Sequence, residues 1–156
     1  MSTKRCKACG QQKGLTAFYR RPNQSVDTTC RKCRTVEGRR NANASPRAYL
    51  RTIINNRRYD AKKKGVVFDI DHDFVMTMWE TQGGKCALSG VMMTYAKDGN
   101  GNKAMNASLD RIRPDQGYTV KPLNVQLVCA RVNIMKHTLP EHEFRWWIQN
   151  IHENLT

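Results

Sequence analysis

Four cysteines constrain the first part of this 156-residue chain more than any other feature: Cys6, Cys9, Cys30 and Cys33 stand in the spacing C-x2-C-x20-C-x2-C. Two such pairs, each on a tight turn, supply the four thiolates of a tetrahedral site, and that spacing reads as structural zinc. A segment of about 40 residues buries too little apolar surface to fold unaided, and a metal is one way to hold it. A closed four-cysteine site leaves no open coordination position, so the ion is expected to be structural rather than catalytic. Lys7, Arg31, Lys32 and Arg34 lie beside the thiolates and offset their charge.

The charge is as unevenly placed as the cysteines. Residues 1–68 carry 18 Lys and Arg against Asp27, Glu37 and Asp60, about +15, whereas residues 69–156 carry 9 against 10 acids, about −1. An excess confined to one half points to a polyanion partner, because Lys and Arg gain affinity by replacing the counterions condensed at phosphates. The cations expected to touch nucleic acid are Arg20, Arg21, Arg31, Lys32 and Arg34 in the cysteine module, Arg51, Arg57, Arg58, Lys62 and Lys63 beyond it, and Lys136. No apolar stretch approaches the roughly 18 residues that cross a bilayer, and Met1 is not followed by a signal-peptide core. The expectation is a cytoplasmic protein with no membrane partner, in which Cys86 and Cys129 stay reduced.

Local signals divide the rest. Ser45 as N-cap, Pro46 and Gly65 bracket a helix over 46–64 with a stripe of Tyr49, Leu50, Ile53, Ile54 and Ala61. A short strand over 66–70 leads to a helix over 72–82 capped by Asp71. Residues 86–95 read as a strand with a turn at Ser89 and Gly90, 97–106 as a polar loop, 107–112 as a second strand, and 125 to about 137 as a helix. A Thr138 to Glu141 capping box with Pro140 opens a last helix, with Phe144, Trp147, Ile148, Ile151 and Leu155 along one face. The domain reading is a cysteine module over 1–44, a basic connecting helix and strand over 45–68, and a second domain over 69–156.

Within that second domain the segments Cys86-Ala87-Leu88-Ser89-Gly90, Ser108-Leu109-Asp110-Arg111-Ile112, Gly117-Tyr118, Asn124 to Cys129, and Asn133 to Lys136 follow one another in a recognisable order. Over roughly residues 85–138 the chain resembles the HNH, or ββα-metal, endonuclease family, especially its small phage-encoded members. The fold this implies is α+β: a ββα-metal core with an N-terminal four-cysteine, zinc-ribbon-like module and flanking helices. The resemblance implies a Mg2+ or Mn2+ ion held by Asp110 on a strand and Asn133 on a helix, with Asn124 bracing the intervening loop. His137, four residues beyond Asn133, joins the metal set if the helix continues that far. The activity implied is hydrolysis of nucleic-acid phosphodiesters, double-stranded DNA first, in the cytoplasm of a phage-infected host.

The chain departs from the family pattern in two ways. Ser89 and Val132 stand where many members carry the second cysteines of a further zinc site, leaving Cys86 and Cys129 to pack in the core. Arg111 stands where the family has the histidine that deprotonates water. Arginine stays protonated and cannot do that, although it can clamp a phosphate. Water activation then falls to the ion or to Asp115, Tyr118 or another histidine. The alternative is an HNH-derived, zinc-containing DNA-binding or regulatory protein without turnover, such as an inhibitor of a host system.

Overall fold

The structure, a computed structural model, describes residues 2–96 and 103–156. The chain divides into two compact units, Met1–Ala44 and Ser45–Thr156. The basic helix after the cysteine module thus belongs to the second unit. No helix among the described residues is long and apolar enough to cross a membrane.

The first unit is two small antiparallel hairpins and a helix. Strands β1 (Thr3–Arg5) and β2 (Gln12–Gly14) pair, as do β3 (Phe18–Arg20) and β4 (Val26–Cys30), and α1 (Arg31–Ala42) follows directly. Its buried apolar residues are Cys6, Phe18 and Cys30, with Ala17, Val26 and Cys33 against them. This departs from a ribbon with both cysteine pairs on tight turns. Cys6 to Gly10 is such a turn, with Gly10 at φ +69°, but Cys30 is the N-cap of α1 and Cys33 lies in its first turn. Nothing apolar and periodic marks α1, whose side chains include none that is buried, so the sequence offers no helix signal there.

In the second unit the capping signals of the first two helices hold. Helix α2 (Pro46–Lys64) is capped by Ser45, whose hydroxyl accepts from the Ala48 N–H, and ends at Gly65 in the left-handed region. Helix α3 (His72–Thr81) is capped by Asp71, which accepts from the Phe74 N–H at 2.8 Å. Leu50 and Ile54 of α2 and Val75 of α3 enter a core with Ile70, Leu109, Val125, Leu127 and Val128. Residues 66–70 form no strand. They make one isolated bridge, Phe68 to Tyr118.

The central element corrects the expected assignment of strands. β5 (Ala107–Arg111) pairs antiparallel with β6 (Val125–Cys129), in register from Ala107 opposite Cys129 to Arg111 opposite Val125. Residues 125–129 were expected as helix; all five are buried on both faces, and a short, doubly buried run shows no period that separates strand from helix. Only α4 (Ala130–Lys136) is helical. Residues 86–95 instead make isolated bridges, Lys85 to Met92 and Thr94 to Asn106. Of the expected loop over 97–106, residues 97–102 lie outside the described residues. The remainder is pinned to α4, whose Ala130 and Arg131 N–H groups donate to the carbonyls of Asn106 and Ala104.

The last helix, α5 (Glu141–Leu155), starts without the expected capping box. Pro140 is its N-cap, in extended conformation and with no side-chain cap bond, so Thr138 lies too far upstream. Only Phe144 of its apolar face is buried, while Trp147, Ile148, Ile151 and Leu155 are exposed.

Candidate metal centre and nucleic-acid interface

The four Sγ atoms of Cys6, Cys9, Cys30 and Cys33 all lie within 4.8 Å of one another. A tetrahedron of sulfurs about 2.3 Å from a central ion has edges of about 3.8 Å, so the donor set fits zinc. The first unit is built around them. Cys6 N–H donates to the Gln11 carbonyl and Gly10 N–H to the Cys6 carbonyl, at 3.0 and 2.8 Å. Backbone N–H groups of Cys30, Cys9 and Ala8 point at the Cys6 sulfur and pull its thiol down to about 6. Hydrogen bonding within the cluster, from Cys30 first and then Cys9, pushes Cys33 up to about 12. Lys13 Nζ donates to Cys30 Sγ at 3.5 Å. Among the described residues this is the one gathering of three or more His, Cys, Asp or Glu side chains close enough to hold an ion.

The same turn recurs in the second unit without the ligands. Cys86 N–H donates to the Val91 carbonyl and Gly90 N–H to the Cys86 carbonyl, both at 2.9 Å, with Gly90 at φ +69°. Cys129 is the N-cap of α4, as Cys30 is of α1. Ser89 and Val132 hold the places of Cys9 and Cys33. Cys86 and Cys129, each 2 % exposed, belong to the core cluster.

Sheet and helix bring Asp110, Asn133 and Asn124 onto one ββα unit. Asn124, 2 % exposed, binds the turn that joins the strands. Its Nδ2 donates to the Arg113 and Gly117 carbonyls at 3.0 and 2.7 Å, and its Oδ1 accepts from the Arg113 N–H at 2.8 Å. Asn133 Nδ2 donates to Ser108 Oγ at 2.8 Å and to the Leu109 carbonyl at 3.1 Å, which ties α4 to the strand beside Asp110. Arg111 Nη1 donates to the Gln116 carbonyl at 2.9 Å, with its guanidinium 5.3 Å from the Tyr118 ring centre.

Around Asp110 the structure corrects the sequence reading. Its carboxylate is buried, accepting from Lys136 Nζ at 3.1 Å on Oδ1 and from Gln126 Nε2 at 3.0 Å on Oδ2. Lys136 was expected on nucleic acid. Its side chain is 0 % exposed and its ammonium also donates to the Arg111 carbonyl at 2.7 Å, so it cannot reach a phosphate. Gln126 continues to Glu141 Oε2 at 2.8 Å. This Glu141–Gln126–Asp110–Lys136 network escaped the sequence reading; an i, i+3 relation between Asn133 and Lys136 was the signal that both face one side of α4. His137 does not. The helix ends at Lys136, and His137 turns away at φ +50°, exposed and bonded to Thr138 Oγ1. Its expected alignment with Asn133 required a continuous helix.

The other expected cations are at the surface. Arg20, Arg21, Arg31, Lys32 and Arg34 are exposed on the first unit, and Arg51, Arg58, Lys62 and Lys63 on α2. Arg57 is half-buried and faces Asp60 at 3.7 Å. Arg58 donates to the Ile70 carbonyl at 3.1 Å, so part of its fork is committed within the unit.

No family model and no curated protein matches the chain. A solved structure described as the rare-cutting HNH restriction endonuclease PacI is similar at 16% identity and a TM-score of 0.45, over 97% of this chain and 94% of that one. A likeness that faint does not establish the fold.

Proposed function

We propose that this protein binds nucleic acid, double-stranded DNA in the first instance, by a zinc-ordered basic module, and that its second unit is an HNH-like ββα scaffold. The observation that carries the reading is the convergence of four thiol sulfurs inside the unit that displays Arg20, Arg21, Arg31, Lys32 and Arg34 at its surface. An ion there fixes those cations before a ligand arrives, so less conformational entropy is lost on binding.

A second reading adds phosphodiester hydrolysis, and one observation favours it. Asp110, Asn133 and Asn124 share the β5–β6–α4 unit, in the order that the resemblance to HNH endonucleases gives them roles. Asp110 and Asn133 would hold Mg2+ or Mn2+, which when bound stabilises charge on the scissile phosphate and the departing oxygen. Arg111 would bind the phosphate and Asn124 would hold the turn. The buried Lys136 ammonium already balances the Asp110 carboxylate, which makes binding without turnover the better-supported conclusion.

Both readings meet in one experiment. A labelled DNA duplex is titrated with zinc-loaded protein at several salt concentrations, and supercoiled plasmid is incubated with the protein and Mg2+ or Mn2+. Binding that falls steeply with salt supports the grip, and binding indifferent to salt refutes it. Metal-dependent nicking that disappears in Asp110→Asn adds the enzyme reading, while a lack of nicking by the wild type removes it.

A further inference from the structure

We propose that the open cleft walled by Tyr19, Arg20, Arg21, Pro22, Arg34 and Thr35 is a phosphate-binding site in which Arg21 and Arg34 are set in place by the buried carboxylate of Asp27; the inference rests on the nucleic-acid reading above and names its contact point. The cleft is open to solvent, about 640 Å3 in volume, and lies wholly within the first unit.

Asp27 is one of only three acids in residues 1–68, and it is 5 % exposed. Its Oδ1 accepts from the Thr28 N–H at 2.8 Å and from Arg21 Nη2 at 3.5 Å, and its Oδ2 forms an ion pair with Arg34 Nη1. The side chains of Arg21 and Arg34 are nevertheless 58% and 56% exposed, so one edge of each guanidinium is anchored while the rest faces solvent. The Tyr19 ring provides a second brace. The Arg31 guanidinium lies 4.6 Å and that of Arg34 5.8 Å from its centre, and Arg31 Nε donates to the Phe18 carbonyl at 3.2 Å.

Arg21, Arg31 and Arg34 are thereby braced, and Arg20 shares the wall with Arg21 and Arg34, which leaves a net positive charge beside the single carboxylate of Asp27. Fixed guanidinium forks match the tetrahedral oxygens of a phosphate in pairs, and their rigidity spares the entropy that free arginines lose on binding. Asp27 is a positioning residue in this account, because it acts through Arg21 and Arg34.

The positioning role and a mere neutralising role predict opposite signs. Asp27→Asn raises the net charge by one. If Asp27 only offset repulsion, the variant would bind a polyanion more tightly. If it positions the forks, zinc-loaded full-length Asp27→Asn binds a 20-bp duplex about tenfold more weakly at fixed salt, and Arg34→Lys, which keeps the charge and loses the fork, weakens likewise. The visible spectrum of the Co2+-substituted protein reports an intact four-thiolate site in each variant. Equal or tighter binding by Asp27→Asn with that spectrum intact overturns the proposal.

A second measurement stands apart from DNA binding. Inorganic phosphate added to the wild-type protein should shift the NMR signals of the Arg21 and Arg34 side chains and of the Thr35 amide, and not do so in Asp27→Asn. Those shifts in a protein that binds no duplex would uphold the site and sink the nucleic-acid reading. Duplex binding without those shifts would do the reverse.

Discussion

Replacing Lys136 by methionine keeps most of the length of the side chain and removes its charge, and the structure fixes what is lost. Lys136 Nζ gives up its bonds to Asp110 Oδ1 and the Arg111 carbonyl, at 3.1 and 2.7 Å. Asp110, with 4% of its side chain exposed, then keeps among the described residues only the amide of Gln126 as a side-chain partner. Breaking a buried pair from one side costs about 3–5 kcal/mol, because the remaining charge is left uncompensated. For a unit of this size each kcal/mol moves the melting temperature by roughly 4 °C, so a fall of about 12–20 °C is expected. Urea denaturation followed by circular dichroism gives the free energy directly. The double variant Asp110→Leu with Lys136→Met should cost about 2 kcal/mol less than the two single changes summed, since neither charge is then stranded. A Lys136→Met loss under about 1 kcal/mol, the range of exposed pairs, would refute the reading of Asp110 as a buried structural partner. The outcome bears on any nuclease assay too. An Asp110→Ala or Asp110→Asn variant strands the Lys136 charge and would lose activity by unfolding as readily as by losing a ligand, so a loss of nicking counts only where circular dichroism shows the variant folded.

Chelation should unfold the first unit and spare the second, because among the described residues the apolar core of the one is Cys6, Phe18 and Cys30 while a twelve-residue cluster is buried in the other; hydrogen exchange will show protection lost over residues 2–44 alone, and concerted loss throughout would contradict it. Gly117→Ala would bring a Cβ to 2.5 Å from the Val67 carbonyl oxygen, so a destabilisation of about 1–3 kcal/mol is expected from urea midpoints, and a neutral result would show that the turn can shift. Burial, aided by the neighbouring Cys86, pushes the Cys129 thiol from 9.0 up to about 11. The fold therefore favours the neutral thiol, and this contribution is present below pH 9 and lost as pH rises from 9 toward 11. Stability in that window should fall less in Cys129→Ala than in the wild type, and identical pH profiles would remove the cause assigned.

What was legible from sequence is what adjacent residues settle among themselves. Ser45, Pro46 and Gly65 bound α2, and Asp71 caps α3, because caps act over three or four residues. The cysteine spacing marked a four-thiol cluster, since each pair comes from one turn or one helix start. The charge asymmetry is a property of the sequence alone. Tertiary structure decided the rest. Val125 to Cys129 became a strand because Ala107 to Arg111 offered an edge and the core covered both faces. Thr138 lost its capping role once Pro140 took an extended conformation. Lys136 reads as one more cation in a basic chain until the fold encloses it against Asp110, some 26 residues away. Burial of a charge depends on what packs over it, and no local pattern of residues carries that information.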